Sequence, residues 1–188
     1  MTMVPGIPQE LNVLIDEEKI SKRVAELGRE ISEQYKGKSL HTVCVLDDGF
    51  MFAADLIRHL DVPVIASFVK PRFNETPTTT GSLLQIFFSP EIDVRGQDVL
   101  LIEGLITTGI TAEFLIRNLF GRGAVSVKMV ALLEKQVDRR VPLQPDFFGF
   151  MVEEGSLLGY GLGMPKSGLG RNLPYIAHVA GQTASATK

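Results

Sequence analysis

The segment DVLLIEGLITTGIT, residues 98–111, holds the residue types that capture an anion. A buried-looking apolar run enters Thr107-Thr108-Gly109-Ile110-Thr111, and a helical pattern follows it. At such a helix start the first backbone N–H groups have no partner within the helix. Together with the helix dipole they attract negative charge. Gly109 lets the chain turn tightly. The threonine hydroxyls either donate to phosphate oxygens or cap the helix. The same pattern equally suits a capped strand–helix junction with no ligand. Elsewhere the candidates are weaker. Asp47 and Asp48, followed by Gly49, read as an exposed acidic turn, and Lys135 beside Glu134 and Arg171 before NLPYI read as surface cations. His41, His59 and His178 fall in separate segments with no metal-ligand spacing, and Cys44 inside TVCVL reads as a small core residue.

The elements that must position these residues alternate between strand and helix. Ile20, Val24, Leu27 and Ile31 recur at helical spacing, with Asp16 as the expected N-cap and Gly37 as the expected stop. TVCVL (42–46) is a continuous apolar run, as expected of a strand covered on both faces. FMFAADLIRHL reads as a helix, VPVIASFV (62–69) as a strand, and KPRFNETPTTTGS (70–82) as a polar loop or loose hairpin. LLQIFF, DVLLIE (98–103) and AVSVKMVALLEK (124–135) read as strands, AEFLIRNLFGRG as a helix ended by glycine, and FFGFMV and LLGYGL as short late strands. Repeated strand–helix–strand units imply a parallel sheet with helices on both faces. Ligands in such sheets bind beyond the carboxyl ends of the strands. That singles out the loops at 46–49, 104–111 and 135–140, each starting where a strand is expected to end. We expect one domain over residues 11–180, a flexible lead-in at 1–10 and a frayed tail at 181–188.

Bulk properties narrow the function classes. The 188 residues are 45% apolar and 22% charged with a net charge of −3, so nothing draws the chain to nucleic acid or to an anionic membrane. A single cysteine forms no internal disulfide, which suits a reducing cytoplasm. No apolar stretch reaches the length of a membrane span, and MTMVPGIPQE has no pattern of a signal peptide.

The 98–111 block resembles the phosphoribosyl-diphosphate motif of type I phosphoribosyltransferases, in which an apolar strand leads through two acidic residues to Asp-Thr/Ser-Gly-x-Thr. Four further segments are similar to the hypoxanthine-guanine members of that family. LDDGFMFAADLIRHLDVPV resembles their pyrophosphate loop and LLEKQVDRR their purine-site segment, while FFGFMVEEGSLLGYGL and RNLPYI resemble their C-terminal segments. The resemblance runs over roughly residues 10–180 in the expected order. It implies an α/β domain with a mostly parallel twisted sheet, plus a small hood built from the N- and C-terminal parts. It also implies transfer of a ribose phosphate from phosphoribosyl diphosphate to a purine, with release of pyrophosphate and use of Mg²⁺. By the same resemblance Glu103 holds ribose hydroxyls, residues 107–111 hold the 5′-phosphate, Lys135 and the backbone of Leu157 read the purine, and Arg171 contacts pyrophosphate. The helix FMFAADLIRHL would pack against a neighbouring subunit, making a dimer or tetramer.

Several positions depart from the family pattern. The second acid is Gly104, and the aspartate that would move the purine N7 proton is Thr107. The Lys or Arg of the pyrophosphate loop is replaced within Asp47-Asp48-Gly49. Counting back from Arg95-Gly96 puts Phe73-Asn74 where a Ser-Tyr pair closes the family's lid. Ser156 replaces the aromatic that stacks on the purine, and Gly163 replaces a magnesium-binding aspartate. These losses point to a protein that keeps a site for phosphate or a purine nucleotide with weak or absent transfer. Two alternatives stay open. One is an active transferase, on purine or a changed acceptor, in which Asp47, Asp48 and Glu103 rebuild a Mg²⁺ site. The other is a non-catalytic partner in an oligomer.

Overall fold

The computed structural model describes residues 11–73, 84–88, 92–135, 140–153, 155–164 and 167–179. The expected lead-in and tail, Asn74 and the rest of the expected 70–82 loop, and the 136–139 part of the loop after Lys135 lie outside the described residues.

Strand β1 (Leu11–Ile15) precedes helix α1 (Glu17–Gln34). Asp16 caps α1 by accepting the Lys19 N–H at 2.9 Å, as its residue type favours. The helix buries Ile20, Val24, Leu27 and Ile31, the stripe that 3.6-residue spacing requires. The chain then runs through β2 (Leu40–Val45), α2 (Phe50–Arg58), β3 (Val64–Phe73) and β4 (Leu84–Phe88). It continues through β5 (Asp98–Ile106), α3 (Ile110–Gly121), β6 (Ser126–Lys135) and β7 (Phe147–Val152). Two short strands, β8 (Leu157–Leu158) and β9 (Ile176–Val179), end the described chain.

The main sheet has the order β4-β3-β2-β5-β6-β7. Five strands are parallel, and β4 runs antiparallel to β3 at the edge. All residues of β2 are buried, as expected for an inner strand covered on both faces. Helices α1 and α2 close one face through a core that includes Leu27, Phe52, Leu56 and Leu100. Helix α3 closes the other through Leu115, Leu119, Val99 and Leu101. The helices α1 and α2 come close because Gly28 has no side chain: a Cβ there would stand 2.5 Å from His59 Cβ.

The hood is a three-stranded antiparallel sheet, β1-β9-β8. Strands β1 and β9 were not expected from the sequence. Both are short and gain their partners only from the opposite end of the chain. Residues 70–73 prolong β3 and pair with β4, so this stretch begins as a hairpin. LLGYGL forms only a two-residue strand and an isolated bridge from Gly159 to Leu162. The glycines at 159 and 161 take positive φ there and turn the chain. Strand β5 extends to Ile106, past its expected end at Glu103. Glu103 pairs with Ala131 and Leu105 with Leu133, so residues 103–106 are sheet, and the true loop is Thr107–Gly109.

Candidate functional site

The short β5–α3 loop places its groups at the carboxyl end of the sheet. Gly109 precedes α3 with φ 81°, a left-handed turn that glycine takes freely. No side chain caps the helix, so the threonine hydroxyls do not act as caps. The first amide with an intrahelical acceptor is that of Glu113, bonded to the Gly109 carbonyl at 2.9 Å. The N–H groups of Ile110, Thr111 and Ala112 therefore have no helical partner. A small cleft of about 50 Å³ opens here, lined by Glu103, Leu105, Ile106, Thr107, Thr108, Gly109, Thr111 and Ala112. Ile110 is exposed and is not among the lining residues. The Thr108 carbonyl accepts the Arg140 N–H at 3.2 Å, which ties the loop to the segment after β6.

Glu103 is the ionisable residue among the described residues that line this cleft. The residue is 7% exposed, and Oε1 is buried with no hydrogen-bond partner among the described residues. Burial, and secondarily the charge of Asp48, push its carboxyl up to about 7. Such a group is neutral in weak acid and charged in weak base, within the range used for proton transfer.

The turn after β2 lies against β5, where a Cβ on Gly104 would stand 2.5 Å from the Asp48 carbonyl oxygen. Asp47 and Asp48 are exposed, and Gly49 is buried against Val45, whose carbonyl accepts the Gly49 N–H at 3.2 Å. The Leu46–Asp47 peptide bond is cis. Neither aspartate stands alone. Lys70 Nζ donates to both Asp47 carboxylate oxygens, at 2.8 and 2.7 Å. Arg171 Nη1 donates to Asp48 Oδ1 and to the Gly161 carbonyl. Lys70 was absent from the sequence-based candidates. The signal that could have found it is the parallel register: Val45 opposite Val69 puts the residues that follow these two side by side.

The remaining candidates lie at separate points around the sheet end. Lys135 is the half-buried last residue of β6, opposite Val152. Leu157 is buried in β8, opposite His178. The Ser156 carbonyl accepts the Val179 N–H at 3.1 Å. His41 is buried between Gln97 and Ser67, each at 2.8 Å from a ring nitrogen, which is a structural setting. Burial pushes the Cys44 thiol up to about 12, so it is no nucleophile.

Among the described residues, no three His, Cys, Asp or Glu side chains gather as metal ligands. Asp47 and Asp48 are already held by cations, and position 163 has no carboxylate. The arrangement in which Asp47, Asp48 and Glu103 rebuild a metal site is therefore not formed among the described residues.

Comparisons with known proteins agree with this architecture. The family profile described as "Phosphoribosyl transferase domain" matches residues 13–162. The chain is 36% identical over 164 residues to the hypoxanthine-guanine phosphoribosyltransferase of Bacillus subtilis, covering 87% of this chain and 90% of that one. It is 34% identical to the hypoxanthine phosphoribosyltransferase of Salmonella typhimurium, covering 90% and 95%. A crystal structure of a hypoxanthine-guanine phosphoribosyltransferase from Bacillus anthracis, with HEPES in its active site, superposes with a TM-score of 0.83 at 31% identity, covering 90% of this chain and 99% of that one. The parallel sheet, the hood and these likenesses together establish that the chain belongs to the type I phosphoribosyltransferase family, on its hypoxanthine-guanine side.

Proposed function

We propose that this protein binds a phosphate group, free or on a purine nucleotide, at Thr107–Thr111, and that its transfer of ribose phosphate from phosphoribosyl diphosphate is weak or lost. The carrying observation is the lining of the cleft. Helix-start amides without a side-chain cap lie at it, while the only ionisable side chain among its described lining residues is Glu103. Amides and hydroxyls suffice to hold an anion. Proton transfer at a purine nitrogen needs a titrating group, and the hydroxyl of Thr107 is not one near neutral pH. Lys135, at the end of β6, and the backbone of Leu157 are proposed to read the purine.

An assay of nucleotide formation from phosphoribosyl diphosphate with hypoxanthine or guanine, in magnesium buffer, tests the reading. The expected result is negligible turnover, together with a rise in melting temperature on adding purine 5′-mononucleotides, because a ligand of the folded state raises its stability. Robust magnesium-dependent turnover would overturn it.

One observation favours a second reading, an active transferase. Glu103 is buried, has no hydrogen-bond partner for Oε1 among the described residues and titrates at about 7, which suits it to carry the proton that the family's aspartate would carry. Glu103→Gln would then abolish turnover, and the wild-type rate would show a limb near neutral pH. Mg²⁺ would enter with the donor's phosphates. A third reading, a non-catalytic partner in a dimer or tetramer, is supported by the exposed Ile65 and Phe68 on β3 and Phe50 on α2. Light scattering that gives a monomer would exclude it.

A further inference from the structure

Glu17, Ile20 and Val24 stand at i, i+3 and i+7 on α1, and this spacing puts them on one helix face. Met51, Asp55 and Arg58, at i, i+4 and i+7, share a face of α2 in the same way. The two faces line one cavity of about 310 Å³. It reaches from His59, which packs against Gly28 where the helices touch, to Glu17 in the first turn of α1. The hood adds Tyr160 to the lining. Ile20 and Val24 are buried and Met51 is partly buried, so they give the cavity an apolar floor. Asp55 sets the polar side. Its Oδ2 accepts the Tyr160 hydroxyl at 2.5 Å, and its Oδ1 accepts Arg58 Nη2. None of these residues lines the cleft at Thr107–Thr111.

We propose that this cavity is a second ligand site, and that it takes a small zwitterion with an apolar part, the chemistry of an apolar α-amino acid. Three features select that class. The first is charge of both signs on different walls. Glu17 puts a carboxylate on the α1 side, and Arg58 puts a guanidinium on the α2 side. Arg58 is largely exposed and gives Nη2 to Asp55, which leaves the rest of its five N–H donors for a ligand carboxylate. A phosphate would face Glu17 and Asp55 as like charges, and a simple cation would face Arg58. A molecule carrying both signs meets each wall with its opposite. The second feature is the floor, where an aliphatic side chain leaves water against Ile20, Val24 and Met51. The third is size. A cavity of about 310 Å³ is at the small end of ligand sites, which suits a single amino acid. The site is independent of the phosphate reading, since the two share no lining residue.

Titration of the full chain with leucine, followed by NMR of the backbone amides, tests the proposal. Two analogues complete the set: isocaproate lacks the amine of leucine, and isoamylamine lacks its carboxylate. Leucine should shift the amides around Val24, Met51 and Tyr160 saturably. It should bind at least about fivefold tighter than either analogue, as loss of one solvent-exposed charge contact implies. Glu17→Gln should weaken leucine by a similar factor and leave isocaproate unchanged. Ser21 also lines the cavity and is exposed, so Ser21→Trp fills the space without entering the core and should abolish the shifts. Leucine that gives no saturable shift, or that shifts amides elsewhere, overturns the proposal. So does an analogue that binds as tightly as leucine, or leucine binding that survives Ser21→Trp. The wild-type comparison of the three ligands decides even where a variant fails to fold.

Discussion

The charge of Asp48 bears on the buried carboxyl of Glu103, so the turn after β2 and the middle of β5 share one electrostatic environment. Neither element is near the other in sequence. Their meeting sets the protonation of Glu103 beside the proposed anion site.

Stability should therefore depend on pH through Glu103. Its carboxyl ionises near 4.5 when unfolded and at about 7 when folded. Between those values the folded state holds the extra proton, so stability falls as pH rises from about 4.5 to about 7 and then levels. Glu103→Gln has no proton to lose. In urea unfolding, the variant should gain on the wild type by about 2 kcal/mol more at about pH 8 than at about pH 5. An equal gap at both pH values would refute the assignment.

Anion binding should follow the same titration. Sulfate keeps its charge across this range, so any change reports the protein. Its affinity should rise several-fold as pH falls from about 8 to about 6, because protonation removes a negative charge from the cleft. The rise should vanish in Glu103→Gln. Melting-temperature shifts at fixed sulfate concentration would measure it.

Gly104→Ala should overpack the junction between β5 and the Asp48 turn, since the new Cβ meets the Asp48 carbonyl. Overpacking of this kind costs about 1–3 kcal/mol. Denaturant midpoints should fall accordingly, and a loss under about 0.5 kcal/mol would mean that the turn moves aside freely.

The Lys70–Asp47 pair is nearly half exposed on both sides, at 44% and 45%, so it should add little stability. Lys70→Ala is expected to cost less than about 1 kcal/mol, and less still in high salt. Unfolding curves at low and high ionic strength would show it. A larger, salt-independent cost would give Lys70 a packing role.

Local pattern carried much of the architecture. The stripe Ile20, Val24, Leu27 and Ile31 and the cap at Asp16 suffice to place α1, because helix spacing and capping are properties of neighbouring residues. The unbroken run in β2 likewise announced a strand covered on both faces. Strands β1 and β9 were not legible, since each is defined by a partner at the far end of the chain. The end of β5 was misplaced for a related reason: Gly104 reads locally as a break, yet pairing with β6 carries the strand through to Ile106.

By itself, then, the sequence determined that an apolar strand delivers Thr107–Thr111 to the start of a helix, and that the acids expected at 104, 107 and 163 are missing. Only the tertiary structure decided what fills those gaps. Arg171 reaches Asp48, 123 residues away, and the Asp48 carbonyl lies against Gly104 and Gly161. Spacing along a chain governs hydrogen bonds within a turn or helix. Contacts between distant loops depend on how the sheet and hood bring their ends together, and that is a property of the folded packing alone.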